Sequence, residues 1–283
     1  MDVRFPEDRH VLSDVGEWDP EVHARLSGFV AACAADPLRR KAWALFDWDH
    51  TLFLGDIGDA MFSYMLEKGL FHRPRAWRET SDHLTPAALR QLDACMQKEG
   101  ARIPRSDSLR HEMVRIYFGH ATSGGEPAYA GCDETACHPS YAWFARLLAG
   151  FSADEVRSLA REVLTDLLAS APNTVKYGHP HAWCARPSAP MMDLLRALQA
   201  AGLCIAVVSA SPQAAVEACI AFFDLPVTRI VGVRTRTGSD GCLASELEPC
   251  GRLAGVIPYG RGKRAWISHA IGGRQDPAWE NPD

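Results

Sequence analysis

Apolar positions along the chain fall into two rhythms. Val22, Leu26, Phe29, Val30 and Cys33 recur at helical spacing behind Asp19-Pro20, an N-cap followed by a first-turn proline, and Asp36-Pro37 closes the run. That pattern predicts an amphipathic helix. After a basic turn, Arg39-Arg40-Lys41, the run Trp43-Ala44-Leu45-Phe46 is continuously apolar and stops at Asp47-Trp48-Asp49-His50-Thr51. A short unbroken apolar run of this kind predicts a strand covered on both faces in a parallel sheet.

From about residue 56 to 186 the rhythm is mainly helical. Ile57, Ala60, Met61, Tyr64 and Met65 share one face, with Gly69 at the end. Ser152-Ala153-Asp154-Glu155 reads as a capping box ahead of Val156, Leu159, Val163, Leu164, Leu167 and Leu168. Residues 119–140 are rich in Gly, Pro, Thr and Ser and are expected to form a long exposed loop. From 190 onward helix and strand alternate. Met191, Leu194, Leu195 and Leu198 predict a helix closed at Gly202, and residues 203–208 a buried strand ending at Ser209. Pro212 is expected to open a helix carrying Val216, Cys219, Ile220 and Phe223, followed by a strand at 229–233 and a hairpin turning at Ser239-Asp240-Gly241. This is a βαβ unit, whose crossover is right-handed by rule. An α/β fold follows, with no internal repeat.

Composition narrows the field. The chain has 283 residues, 47% hydrophobic and 23% charged, which excludes wholesale disorder. Thirty basic against thirty-five acidic side chains leave a net charge of -5, a poor match to a phosphate-backbone binder, so no nucleic-acid partner is expected. Nine cysteines at irregular spacing do not form the framework of a small oxidised domain. With a polar start and no apolar stretch of the roughly 18 residues a membrane span needs, the expectation is a cytoplasmic protein with no membrane partner.

The candidate chemistry sits at the ends of the two apolar strands, where open parallel sheets gather ligands. Asp47 and Asp49, separated by one residue, point in different directions, so one can attack while the other handles protons. At the second strand end, Ser209-Ala210-Ser211 precedes the helix opened by Pro212, so a hydroxyl and backbone N–H groups converge where a helix dipole favours an anion. Third, Tyr259-Gly260-Arg261-Gly262-Lys263 is a glycine-rich turn delivering a lysine to the start of a helix with Trp266, Ile267 and Ile271. Taken singly, these read as a loop carboxylate pair, a helix cap and a solvated charge.

In that order, the DxDxT after one strand, the serine after the next and the Gly-Lys at a helix start resemble the first three motifs of the haloacid dehalogenase superfamily. The resemblance runs from Trp43 to Ile271. It implies a Rossmann-like parallel sheet formed by residues 19–55 and 187–283, with a helical C1-type cap inserted at 56–186 and a polar segment at 1–18. Within the superfamily the chain looks closest to phosphoserine phosphatase-like and phosphorylcholine phosphatase-like members. Carried over residue by residue, the resemblance implies that Asp47 is the nucleophile and Asp49 the acid that serves the leaving oxygen and then water. Thr51 supports the turn, Ser209 and Ala210 hold the phosphoryl group, and Lys263 neutralises charge. Mg2+ is the implied cofactor, on Asp47 and the Asp49 carbonyl oxygen. The implied reaction is hydrolysis of a small-molecule phosphate monoester through an aspartyl-phosphate.

One departure stands out. The superfamily's later acidic motif, which completes the Mg2+ site at the end of a further strand, has no counterpart in the Pro-broken run from Gly272 to Asp283, where Asp276, Glu280 and Asp283 are poor substitutes. The expectation is a truncated or frame-shifted member whose C-terminal core strands are missing. Trp43–Phe46 would then form an exposed apolar edge prone to self-association. Activity would be weak or absent, and a non-catalytic phosphate-binding remnant is the competing reading; a dehalogenase is disfavoured by Asp49.

Three weaker constellations complete the reading. Tyr64, Trp77, Tyr141, Trp143, Phe144 and Trp183 could cage a quaternary ammonium group but are read first as packing. Cys132, Cys137, His138, His179, His181 and Cys184 could be drawn as a zinc site, but their spacing matches no standard finger and they are read as loop residues. Asp56 and Asp59 are read as helix-start carboxylates.

Overall fold

The computed structural model describes residues 12–13, 18–39, 41–170 and 186–275. Trp183, His179, His181, Cys184, most of the polar N-terminal segment and the acidic residues of the tail lie outside the described residues.

Helix α1 (Pro20–Ala35) starts as its sequence dictates: the Asp19 side chain accepts from the backbone N–H groups of Glu21 and Val22, and Pro20 occupies the first turn. Strand β1 (Trp43–Phe46) follows, then the short β2 (Phe53–Leu54) and α2 (Ile57–Lys68), which ends at Gly69 in the left-handed conformation. A two-residue pairing of β3 (Phe71–His72) with β4 (Arg102–Ile103) brackets α3 (Pro86–Cys95). Helices α4 (Asp107–Gly119), α5 (Pro139–Leu147) and α6 (Ala153–Leu168) follow, the last with both halves of the Ser152–Glu155 capping box formed. Strand β5 (Arg186–Pro187) returns antiparallel to β2. The alternating part is α7 (Ala189–Ala200), β6 (Cys204–Pro212), α8 (Gln213–Phe222) and β7 (Arg229–Val233). The antiparallel pair β8 (Thr235–Thr237) and β9 (Leu243–Leu247) and the final α9 (Arg261–Ala270) complete the order.

The main sheet is parallel, in the order β1-β6-β7, with Trp43 beside Cys204 and Phe46 beside Val207. The fold is α/β, as the βαβ rhythm predicts. One apolar core joins Met61 and Phe62 of α2, Val163 of α6, Val207 of β6 and Val216 of α8, all fully buried, and α6 packs along α8. At the β7–α8 crossing Gly232 is obligatory, because a Cβ there would lie 2.5 Å from the Gln213 Cα. No helix among the described residues is long and apolar enough to cross a membrane.

Three local readings need correction. Strand β6 runs through Ser209 to Pro212 instead of ending at Ser209, so Pro212 is the N-cap of α8, not its first turn. Pairing with β7 breaks register after Val208 and resumes at Pro212 beside Val233, which delays the start of the helix. Strand β1 is not covered on both faces: it is the outer strand of the described sheet, with Trp43 38% and Leu45 44% exposed. Finally, the run 119–140 is a loop with much of its length exposed, as expected, but it is not free. Thr85 N donates to Ala128 O, Ile257 N to Ala136 O and Arg261 N to Thr135 O, and Thr122, Ala128 and Ala136 are buried. Its Gly and Pro content serves tight turns against two neighbours, which composition alone does not distinguish from exposure.

Candidate active site

The end of β1 turns sharply. The Trp48 carbonyl accepts from the N–H groups of Leu52 and Phe53, both at 3.0 Å, and His50 takes a left-handed φ of 57°. Buried Trp48 stacks on Phe53 and anchors this turn in the core. Asp47 and Asp49 therefore project on either side of a fixed point. Thr51 sits within the turn, its N–H directed at the Trp48 carbonyl.

Asp47 meets the lysine turn: Lys263 Nζ donates to Asp47 Oδ2, while Trp48 N donates to Asp47 Oδ1 at 2.9 Å. This pair keeps contact with solvent, the side chains being 28% and 37% exposed for Lys263 and Asp47. The lysine is placed by its glycines. A Cβ on Gly262 would fall 2.1 Å from the Ile257 carbonyl oxygen, and one on Gly260, where φ is 50°, 2.3 Å from the Thr135 oxygen. Only glycine lets the turn dock so closely.

Asp49 meets the second strand end. Its Oδ2 accepts from Ser209 Oγ at 3.0 Å and Ser211 Oγ at 2.8 Å, and its Oδ1 from Ile57 N at 2.9 Å. Ser209 and Ser211 are both buried, and Ala210 stands between them, partly exposed. Asp47, Asp49, Ser209 and Lys263 thus come together from three distant segments. Ser211 was not assigned a place at the site from sequence, yet a signal for it exists: on an extended strand, residues two apart share a face.

Behind this pair lies a second layer of acid. Asp56 caps α2 by accepting from Asp59 N at 2.9 Å, and Asp59 Oδ1 accepts from the Tyr117 hydroxyl at 2.8 Å. Burial, followed by the neighbouring Asp56 charge, pushes the Asp49 carboxyl up to about 8. Burial and then Asp59 push Asp56 up to about 8 as well, and burial lifts Asp59 to about 6 against the Tyr117 hydrogen bond. Helix-start carboxylates by position, Asp56 and Asp59 are also part of the site's electrostatics. Space is tight: a Cβ on Gly58 would lie 2.9 Å from Ser211 Oγ.

Asp59 also borders a cavity of about 400 Å³ walled by Tyr117, Phe118, His120, His138 and Tyr141. His138 stacks on Tyr141, with ring centroids 4.1 Å apart, and touches the edge of Tyr259 in the lysine turn. Burial lowers His138 to about 4, leaving a neutral imidazole. Of the aromatics considered for a cage, only Tyr141 lines this cavity among the described residues. Trp77, Trp143 and Phe144 are buried in the core, and Tyr64 bonds Glu162.

A carboxylate pair after β1, a serine pair at the end of β6 and a lysine seated by two glycines at the start of α9 gather the chemistry at the carboxyl edge of a parallel sheet. The chain belongs to the haloacid dehalogenase-like hydrolase family, whose model matches residues 44–278. No curated protein matches it. Among solved structures it is similar to a functionally unknown protein from Anaerococcus prevotii, at 15% identity and a TM-score of 0.67 over 94% of this chain and 80% of that one. That likeness is one of fold. A phosphoserine phosphohydrolase-like protein from Francisella tularensis is 14% identical over 83% of this chain and 74% of that one, at a TM-score of 0.32, too low to speak for the site.

Proposed function

We propose that this hydrolase is a phosphatase acting on a small-molecule phosphate monoester, with Asp47 as nucleophile and Asp49 as general acid and base. The observation that supports this most is the division of labour between the two carboxylates. Asp47 is solvent-accessible beside a lysine, whereas Asp49 is held by two serine hydroxyls with its carboxyl pushed up to about 8. At neutral pH Asp49 carries a proton to give. An Asp47 oxygen attacks phosphorus, the bond to the leaving oxygen breaks, and Asp49 supplies that oxygen's proton. In the second half Asp49, now a carboxylate, takes a proton from the water that attacks the aspartyl-phosphate, and inorganic phosphate leaves.

Lys263 offsets charge on Asp47 and the transferring group. Ser209 would turn its hydroxyl to a phosphoryl oxygen beside the Ala210 backbone, leaving Ser211 as the remaining hydroxyl partner of Asp49. Thr51 steadies the turn between them. A Mg2+ ion suits the donor set: the solvent-accessible Asp47 carboxylate and the Asp49 carbonyl would offer it hard oxygen ligands. When bound it supplies positive charge to the transferring phosphoryl group.

The helical segment 56–186 is proposed as the cap, and the cavity bordered by Tyr117, His120, His138 and Tyr141 as the place of the leaving group. The test is Mg2+-dependent release of phosphate from an aryl phosphate, retained by the wild type and lost in Asp47→Asn. Ligand-induced stabilisation by phosphate with no turnover would instead identify a binding remnant.

A further inference from the structure

The stretch that buttresses the lysine turn carries a second cluster, built from residues with no part in the chemistry above. His83, Cys132 and Cys137 converge so that one ligand atom of each lies within 4.8 Å of the other two. Backbone pairing creates this meeting. Ala130 N donates to the His83 carbonyl at 2.9 Å, and the Leu84–Tyr129 bridge lays the two chains side by side. Beyond them, Ala136 N and Cys137 N both donate to the Asp133 carbonyl, at 3.0 and 2.9 Å, and the Cys132 thiol donates to the Cys137 carbonyl at 3.0 Å. The two sulfurs are thereby folded back toward each other and toward the imidazole. Cys137 is buried, while His83 and Cys132 are half-buried, which leaves a side open to solvent.

We infer that His83, Cys132 and Cys137 form a zinc-class metal site that pins residues 132–137 in place. Two thiolates and one imidazole are a soft, borderline donor set that favours Zn2+ over Mg2+. Tetrahedral zinc with bonds of about 2.3 Å to sulfur and 2.0–2.1 Å to nitrogen holds its ligand atoms about 3.5–3.8 Å apart. The observed spacing needs only a short inward movement. The separation of the cysteines, four residues between them, falls within the range of zinc turns. A water on the solvent side serves as the fourth ligand. His138, next in sequence, turns away to Tyr141 and takes no part.

The location gives the site a purpose. Between its two cysteines lie Thr135 and Ala136, whose carbonyls accept from Arg261 N at 2.8 Å and Ile257 N at 3.2 Å in the turn that seats Lys263. Metal at the cysteine pair would fix that support without touching the phosphoryl site.

Zinc content and cobalt substitution test this directly. The reduced, full-length protein is expected to bind one equivalent of Zn2+, and Co2+ in its place to show thiolate-to-metal charge transfer with tetrahedral d–d bands. Cys132→Ser and His83→Ala should each weaken zinc binding by at least about a hundredfold, with Cys95→Ser indistinguishable from wild type. Hydrogen exchange at Ile257 and Arg261 should slow on zinc addition in the wild type and not in Cys132→Ser. Wild-type protein that takes up no zinc, cobalt spectra without thiolate bands, or unchanged binding in both ligand variants would overturn the inference.

Discussion

Ser211 Oγ donates to Asp49 Oδ2 at 2.8 Å, alongside Ser209 at 3.0 Å. Such hydrogen bonds favour the charged carboxylate and work against the burial that raises Asp49. A bond to a charged group contributes about 1.5 kcal/mol, or about one pKa unit. Ser211→Ala should therefore move the alkaline limb of the phosphatase pH–rate profile upward by about one unit, while Ser209→Ala lowers kcat as well. An unmoved limb in Ser211→Ala would show that Asp49 is not the group that titrates.

Gly58→Ala probes the same contact from outside the chemistry. Alanine suits a helix better than glycine, yet its Cβ would sit 2.9 Å from Ser211 Oγ and displace that hydroxyl. We expect a folded protein with an upward-shifted pH profile like that of Ser211→Ala. A profile identical to wild type would mean that Ser211 moves without consequence.

The acid layer makes stability depend on pH. Asp49 and Asp56 are raised from 3.8 to about 8 in the folded protein, so between those values the folded state holds protons that the unfolded state has lost. Stability from these groups is complete below about pH 4 and is lost as pH rises through 8. In chelator, Asp56→Asn, which keeps an N-cap oxygen, should have the higher melting temperature at pH 8 and a flatter pH dependence above 5. A steeper dependence in the variant would reverse the assignment.

The outer strand predicts a surface effect. Trp43 and Leu45 are exposed on β1, whose free edge among the described residues is open to pairing with another chain. Concentration-dependent self-association is expected in sedimentation, reduced by Leu45→Lys with activity per chain retained. Equal association by the variant would place the contact elsewhere.

Much of this was legible before any coordinates, for a physical reason. Asp47, Asp49, Ser209 and Lys263 each sit beside an apolar strand or a glycine turn, and such local signals survive in a single sequence. Ser211 was hidden by the reading of Pro212 as a first-turn residue, which turned a strand face into a helix cap. Asp56 and Asp59 announced a helix start correctly, but their burial against Asp49 depends on tertiary approach. His83 carries no local signal at all: only the pairing of residues 83–85 with 128–130 brings it to Cys132 and Cys137. For β1 the apolar run by itself suggests cover on both faces, because such a run reports what a strand could bury and not what neighbours it has; the exposed edge expected from the motif departure agrees with the outer position of Trp43 and Leu45.

The nucleophile can be caught chemically. Acid-quenched single turnover with an aryl phosphate, followed by mass spectrometry of the peptide spanning residues 43–51, should find one phosphoryl group on Asp47, absent in Asp47→Asn. Phosphate release that persists in Asp47→Asn at the wild-type rate, with no adduct on that peptide, would contradict the account.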